Sequence, residues 1–263
     1  MKCQARDSKL NEKGRERTPF TAFQKKDKKM QASSASKVAQ FKGHKNSTGH
    51  THGEGCVGKT ESCMAACYVE RPVKQYPATG VALQRNLQSL KDCQTASEFY
   101  CLLKPLVVAS DSQYANYLAK LRKAADAPSK KEIKILEKRG HIFRWNWSGD
   151  ILTMAHAEAI NRIAEEMPST TFWLYTRTWW IVGAFKQNKN IAVYLSVDED
   201  NEHIMRPLAE RMNLPLAFMG MDEETFVCPA TNGKLAAKLA CVKCGYCYTK
   251  RNGTYRDVLF QIH

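Results

Sequence analysis

A chain of 263 residues with 43% apolar content can bury a sizeable core, and one body plus a tail accounts for that length more simply than two full domains. The 40 Lys and Arg against 26 Asp and Glu leave a net charge of +14, which favours a polyanionic neighbour, nucleic acid first. No stretch approaches the roughly 18–20 consecutive apolar residues of a membrane span and the N-terminus has no apolar signal core, so the cytoplasm is expected and a membrane is not.

Residues 1–45 hold much of the excess charge and few large apolar side chains, a composition that predicts a basic, disordered tail able to grip nucleic acid. Residues 46–76 are dense in Gly, His and Cys without a hydrophobic period, as expected of a loop wrapped around something other than hydrocarbon. Between 80 and 140 the pattern is helical, in the segments LQRNLQSL, SEFYCLLKPLVVA and SQYANYLAKLRKAA. The last puts Tyr114, Tyr117, Leu118 and Leu121 on one core-facing stripe. Pro128–Gly140 reads as a solvated amphipathic helix stopped by its glycine.

From His141 the pattern alternates: HIFRWNW, FWLYTRT, IAVYLSV and PLAFMGM read as strands, with helices after the first and third and a short helix or turn over WWIVGAFKQN. Such alternation over 141–220 argues for parallel βα units. Three strand ends carry polar residues: Ser148-Gly149-Asp150, Thr176-Arg177-Thr178 and Ser196-Val197-Asp198. Ligands of α/β sheets bind at such carboxyl ends, which makes these residues a candidate site. The final strand candidate is YRDVLFQIH, within a Cys-rich segment, 226–263.

The chain has 10 cysteines, and in a reducing compartment clustered thiols argue for metal rather than disulfides. Cys3, Cys93 and Cys101 stand apart and read as ordinary thiols. Cys241, Cys244 and Cys247 follow a C-x2-C-x2-C spacing, and Cys228, followed by Pro229, supplies a fourth thiolate; this resembles iron–sulfur ligation more than the paired C-x2-C of zinc ribbons, with zinc as the alternative. Cys56, Cys63 and Cys67 are three ligands, the number that leaves one iron of a [4Fe-4S] cluster open, as an S-adenosylmethionine (SAM) radical enzyme requires. Other assignments stay open: a mixed zinc site with His50 and His52, a structural cluster with a distant fourth ligand, or one closed site built from these three and Cys228.

Asn46-Ser47-Thr48-Gly49, the loop ending Cys67-Tyr68, Arg144 with Ser148-Gly149-Asp150, Tyr175-Thr176-Arg177, the Cys228 to Cys247 set and the closing Phe260-Gln261-Ile262-His263 together resemble the phage gene product 88 domain family, over about residues 44–263. The loop GCVGKTESCMAACYVER is also similar to the cysteine loop of phage proteins related to spore photoproduct lyase, which have a radical SAM type of αβ barrel. These resemblances imply a phage-encoded iron–sulfur protein with a partial (βα) barrel-like parallel sheet, in a host cytoplasm. The radical SAM pattern C-x3-C-x2-C is incomplete, since Glu70 stands where the third thiol would be, and Cys56 would replace it from upstream. Ser148-Gly149-Asp150 is similar to the Gly-Gly-Glu element that binds the amino group of SAM, although Asp150 could equally cap the following helix.

Arg177 could bind a carboxylate or phosphate, or pair with Asp150 or Asp198. Trp145, Trp147, Trp173, Trp179 and Trp180 suit packing first and base stacking second. His263 could reach the cleft from the last strand. Two functions follow. In one, Cys56, Cys63 and Cys67 hold a reactive cluster, Asp150, Arg177 and Asp198 orient cofactor or substrate, and the C-terminal four thiols hold an auxiliary cluster, the target being nucleic acid or a host molecule. In the other, all seven thiols are structural and the chain binds nucleic acid or a host protein without catalysis.

Overall fold

In the computed structural model, residues 30–33, 39–124, 126–185, 188–221, 223–235 and 239–262 are described. Most of the basic tail, together with Cys3 and His263, lies outside the described residues. The β-branched and aromatic runs form six strands: β1 (His141–Arg144), β2 (Thr170–Thr176), β3 (Ile191–Val197), β4 (Leu216–Met219), β5 (Phe226–Val227) and β6 (Val258–Phe260). Their order is β1-β2-β3-β4-β6-β5. Every pairing is parallel, and the sheet curls into a half barrel. Eight α-helices accompany it among the described residues: α1 (Glu61–Ala65), α2 (Glu70–Gln75), α3 (Pro77–Lys91), α4 (Ala96–Ala124), α5 (Ala127–Arg139), α6 (Met154–Glu166), α7 (Glu202–Met212) and α8 (Ala240–Cys244).

Side chains alternate across each strand, so the sheet has two differently dressed faces. On one, Phe143, Trp145, Phe172, Leu174 and Val193 pack with Phe99, Leu103 and Val107 of α4 and Ile160 and Ile163 of α6. Farther along that face, Leu195, Val197, Leu216 and Phe218 meet Met205 and Leu208 of α7. On the other, Ile142, Trp173, Ala192, Tyr194, Ala217 and Val258 meet Val242, Tyr246 and Tyr248 of the C-terminal segment. That segment therefore takes the place helices occupy on the opposite face.

Several expectations are refined. The two helical segments read before and after Ser110-Asp111 form one 29-residue helix, α4, with Pro105 inside it. The break does not occur because Ser110 is buried, its hydroxyl 2.9 Å from His141 Nε2 and 3.1 Å from His44 Nε2. β1 is shorter than HIFRWNW, since Asn146 at φ 49 turns the chain. WWIVGAFKQN forms a 3-10 helix over Trp179–Ala184.

The expected tail boundary at residue 45 falls too late. Met30 joins the core, Phe41 stacks on Tyr117 at 4.0 Å, and His44 is fully buried against Ser110. Residues 46–50 then run along the free edge of β1 through Arg144 N to Asn46 O (3.0 Å), Thr48 N to Arg144 O (3.1 Å) and His50 N to Ser148 O (3.0 Å). This covers an edge that would otherwise present unpaired backbone groups.

Candidate metal centres

The N-terminal cysteine loop crosses the carboxyl ends of β1, β2 and β3. Asp150 N donates to Gly55 O at 2.9 Å, and Ser62 N donates to Asp200 Oδ2 at 2.8 Å. Thr60 caps α1 by accepting from Cys63 N (3.1 Å) and donates its own hydroxyl to Asp198 Oδ2 (2.6 Å). One threonine thus starts the helix that carries Cys63 and ties it to β3. Gly58 allows close approach to β2: a Cβ there would lie 2.3 Å from Arg177 O.

This docking gathers Cys56, Cys63, Cys67, Asp150, Asp198 and Arg177 within mutual electrostatic reach. Burial pushes the Cys56 thiol up to about 12, with the Asp150 charge and the other two thiols adding to the rise. Burial also raises Cys63, opposed by Arg177 and reinforced by Cys67, Asp198 and Asp150. Without metal, these two thiols are protonated at neutral pH. Ligation there must release protons.

The three carboxyl-end residues expected to hold a cofactor are engaged inside the protein. Ser148 Oγ donates to His50 O at 2.7 Å. Gly149, at φ 77, makes room for His50, whose ring a Cβ would meet at 2.3 Å. Asp150 Oδ1 accepts from Ile151 N (2.7 Å) and Thr176 Oγ1 (2.6 Å), and Oδ2 accepts from Arg177 N (2.8 Å). The helix-cap alternative for Asp150 does not hold, because Thr153 caps α6 through its contact with His156 N. Arg177 pairs with Asp198, both its Nε and terminal nitrogen standing 3.0 Å from Oδ2. The other carboxylate oxygen, Asp198 Oδ1, is buried without a hydrogen-bond partner. Asp198 is therefore the carboxylate with capacity left for a ligand.

His50 Nε2 lies 2.7 Å from Asp150 O, to which it donates, and burial lowers its pKa, so the ring is neutral. Trp145 and Trp173 are core residues, whereas Trp179 and Trp180 are 40% and 48% exposed and alone of those two pairs can meet a ligand.

The C-terminal thiols occupy a different environment. Cys228, Cys241, Cys244 and Cys247 line a cavity of about 30 Å³ with Trp173, Phe226, Tyr246 and Tyr248. The turn that presents them is pinned by Arg139 at the end of α5. Its guanidinium donates to Val242 O (3.1 Å), Lys243 O (3.2 Å) and Cys244 O (3.1 Å), taking the orphan carbonyls of α8. Gly245 ends that helix at φ 69, and a Cβ on it would meet Arg139 at 2.1 Å. Tyr248 OH donates to Cys241 O at 2.9 Å, Phe226 stacks on Tyr246 at 3.8 Å, and Cys228 N donates to Leu259 O at 2.8 Å. Burial raises the thiols of Cys244 and Cys247.

Thiols are soft donors, the type that zinc and iron–sulfur clusters take. Among the described residues, no group of three or more His, Cys, Asp or Glu side chains converges as the ligands of a single ion would. Cys93 is a free thiol, whereas Cys101, expected to be one, is disulfide-bonded. Thr60 and Arg139 escaped the sequence reading. Thr60, three residues before Cys63, carries a helix-cap signal, while nothing in the sequence links Arg139 to Gly245.

Among the described residues, no helix is long and apolar enough to cross a membrane. No curated protein and no solved structure matches the chain. A family model described as Gene product 88 matches residues 12–250, beginning inside the basic segment rather than at about 44. The chain belongs to the phage-associated gene product 88 family.

Proposed function

We propose that this family member is an iron–sulfur protein with two centres, a closed cluster on Cys228, Cys241, Cys244 and Cys247 and a reactive one on Cys56, Cys63 and Cys67 that binds SAM and acts on nucleic acid or a host molecule. The observation that carries the reading is the docking of the three-thiol loop onto the carboxyl ends of β1–β3, beside Asp198 and Arg177. A four-iron cluster on three thiolates offers one iron to the amino and carboxylate groups of SAM, whose reductive cleavage supplies a radical. In this reading Asp198 Oδ1 receives the ammonium of the bound cofactor, since it is the unpartnered oxygen. Arg177 holds that carboxylate in place, and Asp150 fixes the β1–β2 rim through its three donors. The exposed Trp179 and Trp180, on the segment that follows Arg177, offer flat surfaces for an aromatic substrate.

A second reading, a non-catalytic protein whose metal only supplies folding energy, is favoured by the internal engagement of Ser148, Gly149 and Asp150. Iron, acid-labile sulfide and zinc are measured on protein purified without oxygen, followed by addition of SAM and a reductant. Iron with matching sulfide and formation of 5′-deoxyadenosine support the enzyme. A cluster without SAM cleavage supports the second reading, and zinc without sulfide overturns the iron–sulfur assignment altogether.

A further inference from the structure

The short 3-10 helix after Arg177 buries Ile181 and Val182 and turns its two largest rings, Trp179 and Trp180, outward. These rings meet edge to face, with centres 5.5 Å apart and planes at 90°, so each stands as a wall beside the other. Gly183 lies one 3-10 turn after Trp180, and a Cβ on it would meet nothing within 4 Å, which leaves open space next to the rings. Val57 adds exposed apolar surface on the facing loop, where Gly58 packs against the backbone of Arg177 and Thr178. Apolar rings gathered at one rim mark a surface that a ligand covers.

Charge selects the ligand. The sequence from Met167 to Val197, which carries the pair, holds Arg177, Lys186 and Lys189 and no Asp or Glu, in a chain of net charge +14. At the other end of the three-thiol loop lies an open groove of about 610 Å³ lined by Cys67, Glu70, Arg71, Lys74 and Gln75. Lys74 pairs with Glu70 at 2.9 Å, whereas Arg71 is exposed and has no ion pair among the described residues. Aromatic faces for bases and a free guanidinium for a phosphate are the parts of a single-strand site, while a duplex hides its base faces from such rings. We propose that this rim binds single-stranded nucleic acid, with an unpaired base stacked on Trp179 or Trp180, a backbone phosphate on Arg71, and the strand crossing the three-thiol loop between them. This names the substrate of the reading above and rests on it only for the chemistry that follows binding.

The experiment measures fluorescence anisotropy of a labelled DNA strand of about 12 nucleotides, and of its duplex, with full-length protein purified without oxygen, at about 0.15 M salt. Iron and sulfide are determined on the same samples. The single strand is expected to bind at least about tenfold more tightly than the duplex, and changing Trp179 and Trp180 together to Ala is expected to remove that preference while duplex binding stays unchanged. Changing both to Phe keeps most of it. Arg71→Gln is expected to lessen the slope of log affinity against log salt by about 0.7, the share of one phosphate contact on a single strand. Equal affinity for strand and duplex, or a preference that survives the alanine pair, overturns the inference and assigns binding to the basic segment alone. Absence of binding to either also overturns it and leaves the rings to a protein partner. Samples without iron and sulfide defeat the reading above, whereas the strand preference is read from anisotropy whatever metal they hold. Should the alanine pair not fold, acrylamide quenching of the wild-type tryptophans decides: shielding by the strand and not by the duplex supports the proposal, and equal quenching overturns it.

Discussion

The two cysteine groups are built from the same element and placed in opposite surroundings. Cys56, Cys63 and Cys67 sit on the polar rim of the half barrel, with carboxylates, an arginine and a threonine as neighbours. Cys228, Cys241, Cys244 and Cys247 line an aromatic cavity and pack against the core cluster on the other face of the sheet. On the reading proposed above, the difference divides their work. A centre on the rim can meet a ligand, whereas one beneath Tyr246 and Tyr248 organises the core. Removing ligands should therefore harm the fold at one site and only chemistry at the other.

The sharpest way to break this contrast is Cys244→Ser against Cys63→Ser. The first is expected to abolish metal binding at the C-terminal site together with soluble, folded protein. The second should lose only rim metal, with a native circular dichroism spectrum. Next in size is Asp198→Asn, which leaves Arg177 without its buried partner. The expected cost is about 3 kcal/mol by denaturant titration, because an unpaired buried charge is worse than none. Metal content at both sites should be retained.

Acid probes the body that carries both groups. Burial lowers His44 to about 4 and His141 to about 3, so both are neutral in the fold and gain protons on unfolding. Their contribution is intact above the ordinary histidine value of about 6.5 and is lost as pH falls from there towards 4. For His44 the loss is on the order of 3 kcal/mol, and stability measured across that window should show it. A flat profile between pH 6 and 4 would contradict the buried neutral network.

The smallest effects come from two glycines that separate the regions again. Gly245→Ala forces a side chain into φ 69 and against Arg139, and should cost about 1–3 kcal/mol with weaker C-terminal loading. Gly58→Ala meets the Arg177 carbonyl and should lift the rim loop, lowering rim metal content while the thermal midpoint changes little.

Much of this frame is legible in the sequence. The alternation of aromatic and β-branched runs with helical periods gave parallel βα units, and the polar ends at Asp150, Arg177 and Asp198 do converge. What periodicity could not convey was long-range pairing. Nothing local says that residues 46–50 shield β1, that Arg139 grips the carbonyls of α8, or that Asp150 spends its oxygens on Thr176 and Arg177 rather than on a helix cap. Ser110-Asp111 looked like a break because the partners that keep it helical, His44 and His141, lie far away in sequence. The Gly149 turn resembled a ligand cradle, yet the space it leaves is filled by His50. Composition likewise placed the tail boundary too late, because Met30 and Phe41 are isolated apolar residues in a basic stretch and only their packing partners reveal them.

The most direct test of two independent centres is iron and acid-labile sulfide content in three anaerobically prepared proteins: wild type, a variant with Cys56, Cys63 and Cys67 all changed to Ser, and one with Cys241, Cys244 and Cys247 changed. About eight irons in wild type and about four in a well-folded first variant, with the second variant losing its fold, is the result expected of two four-iron centres. Complete loss of metal from the first variant would contradict it, showing that the two groups build a single shared site.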